Sequence, residues 1–264
     1  MLELYHHGTS VCAAKPRIVL AEKRLAWTGR YIDTMKGDQF SPEYRKLNPK
    51  HVVPTLVHDG NVIRESTVIC EYLDDVFPEV PLKPASAIGR AAMRMWTKRV
   101  DEEIHPVTSA ITFPFSHRHA ILANGPAVAE RFINEAVPEQ REERRQMLAR
   151  GIEDPVTQAA LRIFDRLLSD MELQLERTTW LAGEEFTLAE TAVISYVNRL
   201  DMLQFSGLWI EARPRVSDWF ARVKKRPSFE PALMKFVPFD LRELMRENGG
   251  KVWAEVREII RQAR

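Results

Sequence analysis

Cysteine is almost absent, with only Cys12 and Cys70 in 264 residues. Two thiols cannot build a disulfide framework, and a chain of this length does not need one. A reducing, cytoplasmic setting is therefore expected. Charge of one sign is also lacking, because 38 basic residues face 37 acidic ones. No bulk field draws in nucleic acid or an anionic membrane, and neither is expected as a partner. Long apolar runs are missing too. No stretch approaches the roughly 20 residues that span a bilayer. The opening Met1-Leu2-Glu3-Leu4-Tyr5 has neither the basic start nor the apolar run of a secretory signal. Internal repeats and low-complexity tracts are absent, and the charge-dense run 141–145 mixes both signs, as a solvated helix face does.

What is present is an ordinary balance, 45% hydrophobic and 28% charged residues, which suits a chain that folds around a sizeable core. The length favours two modest domains. Residues 2–6 alternate like a short strand, Gly8-Thr9-Ser10 reads as a loop, and 13–23 carries a helical pattern in which Pro16 fits only the first turn. Residues 27–33 read as a second strand. Ser41-Pro42 opens a short helix over 41–47. Two strands follow across the Asp59-Gly60 turn, and Ser66 caps a helix that stops before Pro78. This order predicts a small α/β sheet with one βαβ unit and a terminal hairpin. Pro78, Pro81 and Pro84 punctuate a linker, beyond which only helical patterning continues. Helices are expected over 88–110, 127–150, 155–177, 188–204, 214–225 and 239–262.

Three motifs carry candidate chemistry. Thr9-Ser10-Val11-Cys12 lies where the first strand hands over to the first helix. A helix N-terminus gathers unpaired N–H groups and partial positive charge, so it stabilises an anion. Ser10 would lower the pKa of a bound thiol by hydrogen bonding to its thiolate, while Cys12 would itself supply a thiol; an N-cap serine beside a packed cysteine is the plain alternative. Val53-Pro54 opens a strand where proline cannot join the ladder. It is either a trans edge proline or a cis bond that leaves the Val53 backbone open to a ligand's peptide group. Glu65-Ser66 precedes a helix and would hold an ammonium and a carboxylate, or simply cap.

In this order and spacing the three motifs resemble the N-terminal domain of the cytosolic glutathione S-transferases. The resemblance implies a thioredoxin-like glutathione-binding domain at 1–80, a linker at 81–87 and an all-helical substrate domain at 88–264. It implies a cis proline at Pro54, glutathione as co-substrate, no metal, and a homodimer. Ser10 matches the catalytic slot of the serine-type classes, whose Ser-Ser-x-Cys is similar to Thr9-Ser10-Val11-Cys12. Gln39 with Lys50 or His51 matches the contacts to the glycine end, Val53 and Pro54 those to the cysteinyl backbone, and Glu65 and Ser66 those to the γ-glutamyl head. The stretch 180–190 resembles the family's folding motif in the helical domain. It contains a Thr187/Glu190 capping box, with Glu190 where Asp is usual and Thr191 where a hydrophobic staple needs an apolar residue.

Residues 65–79, 93–102 and 137–140 look like the bacterial β-etherase-type transferases, which cleave β-aryl ethers of lignin-derived ketones. That group often has Pro-Gly-Ala-Asn where this chain has Thr9-Ser10-Val11-Cys12. The implied reaction is attack of glutathione thiolate on a hydrophobic, aromatic electrophile, with His7, Trp96, Phe113 and Phe115 as candidate acceptor-site residues. Met93, Trp96 and Val100 at helical spacing read as core. His117 and His119, one residue apart, do not share a helix face and have no partner set for a metal. Other readings stay open: thiol transfer or dehydroascorbate reduction through Cys12, a glutathione-dependent isomerase, and a glutathione-binding scaffold without turnover.

Overall fold

A computed structural model describes residues 1–134 and 138–263. The chain divides into two units, each continuous in space but not in sequence. The first comprises Met1–Asp101, Gln174–Ser195 and Asp218–Val237.

In this unit β1 (Leu2–His6) is followed by α1 (Val11–Glu22), β2 (Thr28–Tyr31), α2 (Pro42–Leu47), β3 (Thr55–His58), β4 (Asn61–Arg64), α3 (Ser66–Val76) and α4 (Ala87–Arg99). The sheet order is β2-β1-β3-β4, with β1 parallel to β2 and antiparallel to β3. Leu4 sits opposite Gly29 on one side and Leu56 on the other. The βαβ unit and hairpin expected from the sequence are therefore present. The hairpin closes at Asp59 and Gly60, whose φ values of 48° and 84° are those a two-residue turn of this hand demands. Leu4, Leu56, Ile18, Leu20, Ile69 and Leu73 are fully buried, so α1 and α3 pack their apolar residues into one core with the sheet.

Of three local expectations, two meet the structure differently and one holds. Helix α1 starts at Val11, which puts Pro16 in the second turn instead of the first. The lost N–H bond is tolerated because tertiary packing holds the helix, with Ile18, Val19 and Leu20 fully buried. Ser66 is not the cap of α3. Glu65 takes that place with φ 66° and ψ 118°, so the helix begins at Ser66 itself. Ser41 caps α2 as expected, accepting from the Tyr44 N–H, with Pro42 in the first turn.

The second unit comprises Glu102–Leu173, Tyr196–Ser217 and Pro238–Arg264, and among its described residues no strand occurs. The predicted 88–110 helix is broken into α4, a π-helical turn at Val100–Ile104 and α5 (His105–Thr112). Pro106 cannot donate to a carbonyl four residues back, and the widened turn just before it absorbs that loss. Helices α6 (His117–Ala123), α7 (Pro126–Asn134) and α8 (Arg141–Arg150) follow. The helix expected over 127–150 crosses 135–137, which lie outside the described residues, as does Val137 of the resemblance at 137–140. Then come α9 (Pro155–Leu175), α10 (Leu188–Met202), α11 (Gly207–Ile210), α12 (Pro214–Lys224), α13 (Phe229–Ala232), α14 (Phe239–Lys251) and α15 (Trp253–Arg261). The last two replace a single helix over 239–262. Gly249 and Gly250 weaken the helix there, and Gly249 lies so close to the Leu203 carbonyl that a Cβ would come within 2.0 Å of that oxygen. Ile111, Phe164, Leu167, Leu168 and Phe205 form this unit's core. Among the described residues no helix is long and apolar enough to cross a membrane.

Candidate active site

The loop from β1 to α1 lies in the first unit and is anchored by backbone and side-chain hydrogen bonds. Ser10 is the N-cap of α1 in extended conformation (φ −67°, ψ 120°), and its Oγ accepts from the Ala13 N–H at 3.2 Å. Its backbone N–H donates to the His7 carbonyl at 3.3 Å. Since Oγ is used as an acceptor, the hydroxyl hydrogen is left to donate elsewhere. Cys12 is half-buried in the first turn of the helix, and Cys70 on α3 is buried. Burial pushes the Cys70 thiol up to about 12, which makes it inert at neutral pH.

Gly8 has no room for a side chain, since a Cβ there would lie 2.5 Å from the Phe236 carbonyl oxygen. Below the loop sits Arg17, 2% exposed. Its Nε donates to Ala232 O at 2.8 Å, Nη1 to His7 O at 3.1 Å, and Nη2 to Gly8 O at 2.9 Å. Nη1 also lies 3.2 Å from His6 Nδ1, so that nitrogen is the unprotonated acceptor. Burial first, then Arg17 and His7, hold the His6 imidazole down to about 4. An unfolded chain takes up that proton near 6.5, so this contribution to stability is complete above pH 6.5 and lost progressively as pH falls to about 4. The melting temperature should decline across that window. His6→Asn, which keeps an acceptor for Arg17 and cannot titrate, should flatten the decline; an unchanged slope would refute this assignment.

A second group of side chains surrounds β3. The Val53–Pro54 peptide is cis. The loop before it is fixed from beneath by Tyr44 and Asn48, both buried. Tyr44 Oη donates to Val52 O at 2.7 Å, and Asn48 Nδ2 donates to Val52 O at 2.9 Å and to Thr55 Oγ1 at 3.1 Å. Lys50 Nζ donates to Glu65 Oε1 at 2.6 Å. Residues expected at opposite ends of a ligand are thus paired with each other, and the Glu65 carboxylate already holds one ammonium group. Ser66, 8% exposed, opens the eleven-residue α3. The positive φ of Glu65 is costly for a non-glycine residue, and such strain clusters at functional sites. Gln39 donates to Thr34 O at 3.3 Å, while its Oε1 is buried with no hydrogen-bond partner, as is His51 Nδ1. Buried polar atoms of this kind mark places where another group completes the pairing.

The acceptor-site candidates differ in exposure. His7, half-buried, has Nδ1 3.1 Å from Ile32 O and its ring against Tyr31. Trp96 is half-buried on α4, between the fully buried Met93 and Val100. In the second unit Phe113 is half-buried and stacks on Phe132 with centroids 5.0 Å apart. Phe115 is 2% exposed and packs edge-on against Phe205, in the core rather than at a wall. Burial pushes the His119 imidazole down. Among the described residues no group of three or more His, Cys, Asp or Glu side chains is arranged to hold a metal.

The Thr187/Glu190 box is present and extended. Glu190 Oε2 accepts from the Thr187 N–H and hydroxyl, both at 2.9 Å, and Oε1 accepts from the Leu181 N–H at 2.5 Å. Thr187 Oγ1 in turn accepts from Ala189 N–H. The longer glutamate reaches the 180–181 turn as well as its own helix start. Phe186 packs on Trp180 and under the Arg226 guanidinium instead of making a staple.

Residues 9–76 match the glutathione S-transferase N-terminal domain and residues 154–222 the glutathione S-transferase C-terminal domain. Protein LigF from Sphingobium sp. strain SYK-6 is 33% identical over 253 residues, covering 94% of this chain and 98% of LigF. The chain belongs to the glutathione S-transferase family. The crystal structure of the beta-etherase LigF superposes with a TM-score of 0.72 at 32% identity, over 89% of this transferase and 99% of LigF. A maleylacetoacetate isomerase from Dictyostelium discoideum is 38% identical over 106 residues, 39% of this transferase and 48% of the isomerase. Glutathione transferase F7 from Populus trichocarpa shares the fold (TM-score 0.70, 21% identity, 90% and 100% covered). The glutathione-dependent fold expected from Ser10, Val53-Pro54 and Glu65-Ser66 is therefore the fold observed.

Proposed function

We propose that this transferase binds glutathione in the first unit and uses its thiolate to displace phenolate from a β-aryl ether. The observation that carries the reading is Ser10. Its hydroxyl oxygen is occupied by Ala13 N–H, its hydrogen is available, and it stands at the positive end of α1. A sulfur accepting that hydrogen is held as thiolate near neutral pH. The γ-glutamyl ammonium takes the place of Lys50 on Glu65, and its carboxylate meets Ser66 and the start of α3. The Val53 backbone pairs with the cysteinyl unit beside Pro54. At the glycine end Gln39 offers a buried acceptor to an amide N–H, while Lys50, released from Glu65, and His51 face the carboxylate. Fixing both ends makes the attack effectively unimolecular.

The thiolate attacks the carbon bearing the aryloxy group. A C–S bond forms, the C–O bond breaks, and the electron pair leaves with phenolate, which takes its proton from water. The substrate class is proposed on the 33% identity to LigF along nearly the whole chain; within the first unit, Trp96 and His7 are the candidates for contact with it. Cys12 is given no covalent role in this mechanism. The protein is placed in the cytoplasm as a homodimer, with exposed apolar Val68 on α3 and Met95 on α4 available to a second copy. The domain boundary is kept at 1–80 and 88–264, since all described strands end by Arg64 and residues 77–86 hold no helix or strand.

The test is a substrate panel with glutathione: a lignin-type β-aryl ether ketone, a chlorinated nitrobenzene, a disulfide and maleylacetone. Glutathione-dependent phenol release from the ether is expected. Turnover of maleylacetone alone would transfer the assignment to the isomerase reading, which the Dictyostelium relative favours. Turnover of the disulfide alone would restore Cys12 as nucleophile, and tight glutathione binding with no turnover would leave a scaffold.

A further inference from the structure

We propose that Arg17 is a positioning residue of the thiolate site: it holds the loop that carries Ser10 and places a fixed positive charge beneath it. The inference rests on the proposed role of Ser10 and adds to it a residue outside the glutathione contacts. Arginine is rarely buried outright, yet this one is among the largest fully buried side chains of the protein.

Its geometry ties it to Ser10 directly. The His7 carbonyl accepts from Ser10 N–H at 3.3 Å and from Arg17 Nη1 at 3.1 Å, so the serine backbone and the guanidinium converge on one oxygen. The next carbonyl, Gly8 O, is held by Nη2, and Nε anchors the pair to Ala232 O. The guanidinium also lies 4.3 Å from the centre of the Phe236 ring. A planar fork of five N–H donors reaches this many acceptors without moving, which an ammonium cannot.

The charge is the second part. Every hydrogen-bond partner of Arg17 among the described residues is neutral: three backbone carbonyls and the His6 imidazole. The titratable groups that face it are His6 on β1 and His7 beyond it. Burial lowers its pKa only to about 9, so it remains a cation at pH 7. A buried cation without a carboxylate is expensive, and a core arginine serving stability alone is better met by a paired one such as Arg213, whose Nη2 is 2.5 Å from Asp165. A thiolate placed at Ser10 supplies the missing negative charge.

The experiment is a pH titration of the thiolate ultraviolet absorbance of bound glutathione, in wild type, Arg17→Met, Arg17→Lys and Phe236→Glu. Removing one partly screened charge should cut the thiolate fraction at a fixed pH below the midpoint about tenfold. Arg17→Met is expected to show this loss, and Arg17→Lys, which keeps the charge but not the fork that holds the loop, a smaller one of about threefold. Should Arg17→Met fail to fold, Phe236→Glu decides: Phe236 is half-buried, and a carboxylate there cancels the charge while leaving Arg17 in place. It is expected to show the same tenfold loss. Wild-type midpoints in Arg17→Met and Phe236→Glu would overturn the inference while leaving the role of Ser10 intact. A wild-type enzyme that binds glutathione without lowering its thiol midpoint would overturn the functional reading itself, and this inference with it.

Discussion

Ser10→Ala should lower kcat/KM for glutathione conjugation by about 100-fold, equivalent to about 2.7 kcal/mol of transition-state stabilisation, while glutathione affinity changes little. The hydroxyl does two jobs, and they separate by variant. As N-cap it satisfies Ala13 N–H, so alanine should also cost about 1 kcal/mol of stability, whereas Ser10→Gly should cost only a few tenths. Both variants lose the hydrogen bond to sulfur. Equal losses of activity with unequal losses of stability would therefore assign the catalytic effect to the hydroxyl and not to fraying of α1. Activity retained in Ser10→Gly would mean that the helix end alone ionises the thiol.

Glu190→Ala should destabilise the fold far more than the loss of the Ser10 cap. The carboxylate is fully buried and accepts from Leu181 N–H, Thr187 N–H and the Thr187 hydroxyl. Burial raises its pKa above the ordinary carboxylate value even though these three donors oppose that shift. Truncation leaves two backbone N–H groups orphaned in the core and opens a cavity, at a cost of about 3 kcal/mol. For a chain of this size that corresponds to a melting temperature lower by roughly 6–12 °C. Glu190→Gln should fall between, because an amide keeps the volume and one acceptor but turns an NH2 towards a donor. Equilibrium denaturation at pH 7 measures both. An alanine variant within about 1 kcal/mol of wild type would show that water replaces the carboxylate at no great cost.

The parts of this protein that are legible in its sequence are those where one residue type answers one local need. Ser10 at a strand-to-helix junction, Ser41-Pro42, Asp59-Gly60 and Thr187 with Glu190 each satisfy a specific backbone requirement, and each stands where expected. Boundaries set by tertiary packing are less visible. Pro16 argues for a later helix start, but α1 is packed on all sides and keeps its first turn at Val11. Buried charge is the least visible. Lys15, Arg17, Glu22 and Lys23 are charged, yet all are buried. A signal does exist: Ala13, Ala14, Ile18, Val19 and Leu20 cover every direction around α1, so the charged residues between them have no solvated face left to occupy. The Lys50–Glu65 pair is hidden for another reason. Resemblance assigns each to a ligand, and only the folded chain brings the two side chains together.

The most direct test is the ultraviolet spectrum of glutathione bound to the wild-type protein and to Ser10→Ala at pH 7. A thiolate band is expected in the wild type and should be lost in Ser10→Ala, with glutathione affinity within a few-fold. A thiolate band of equal strength in the two proteins would contradict the role of Ser10 as the group that ionises the thiol.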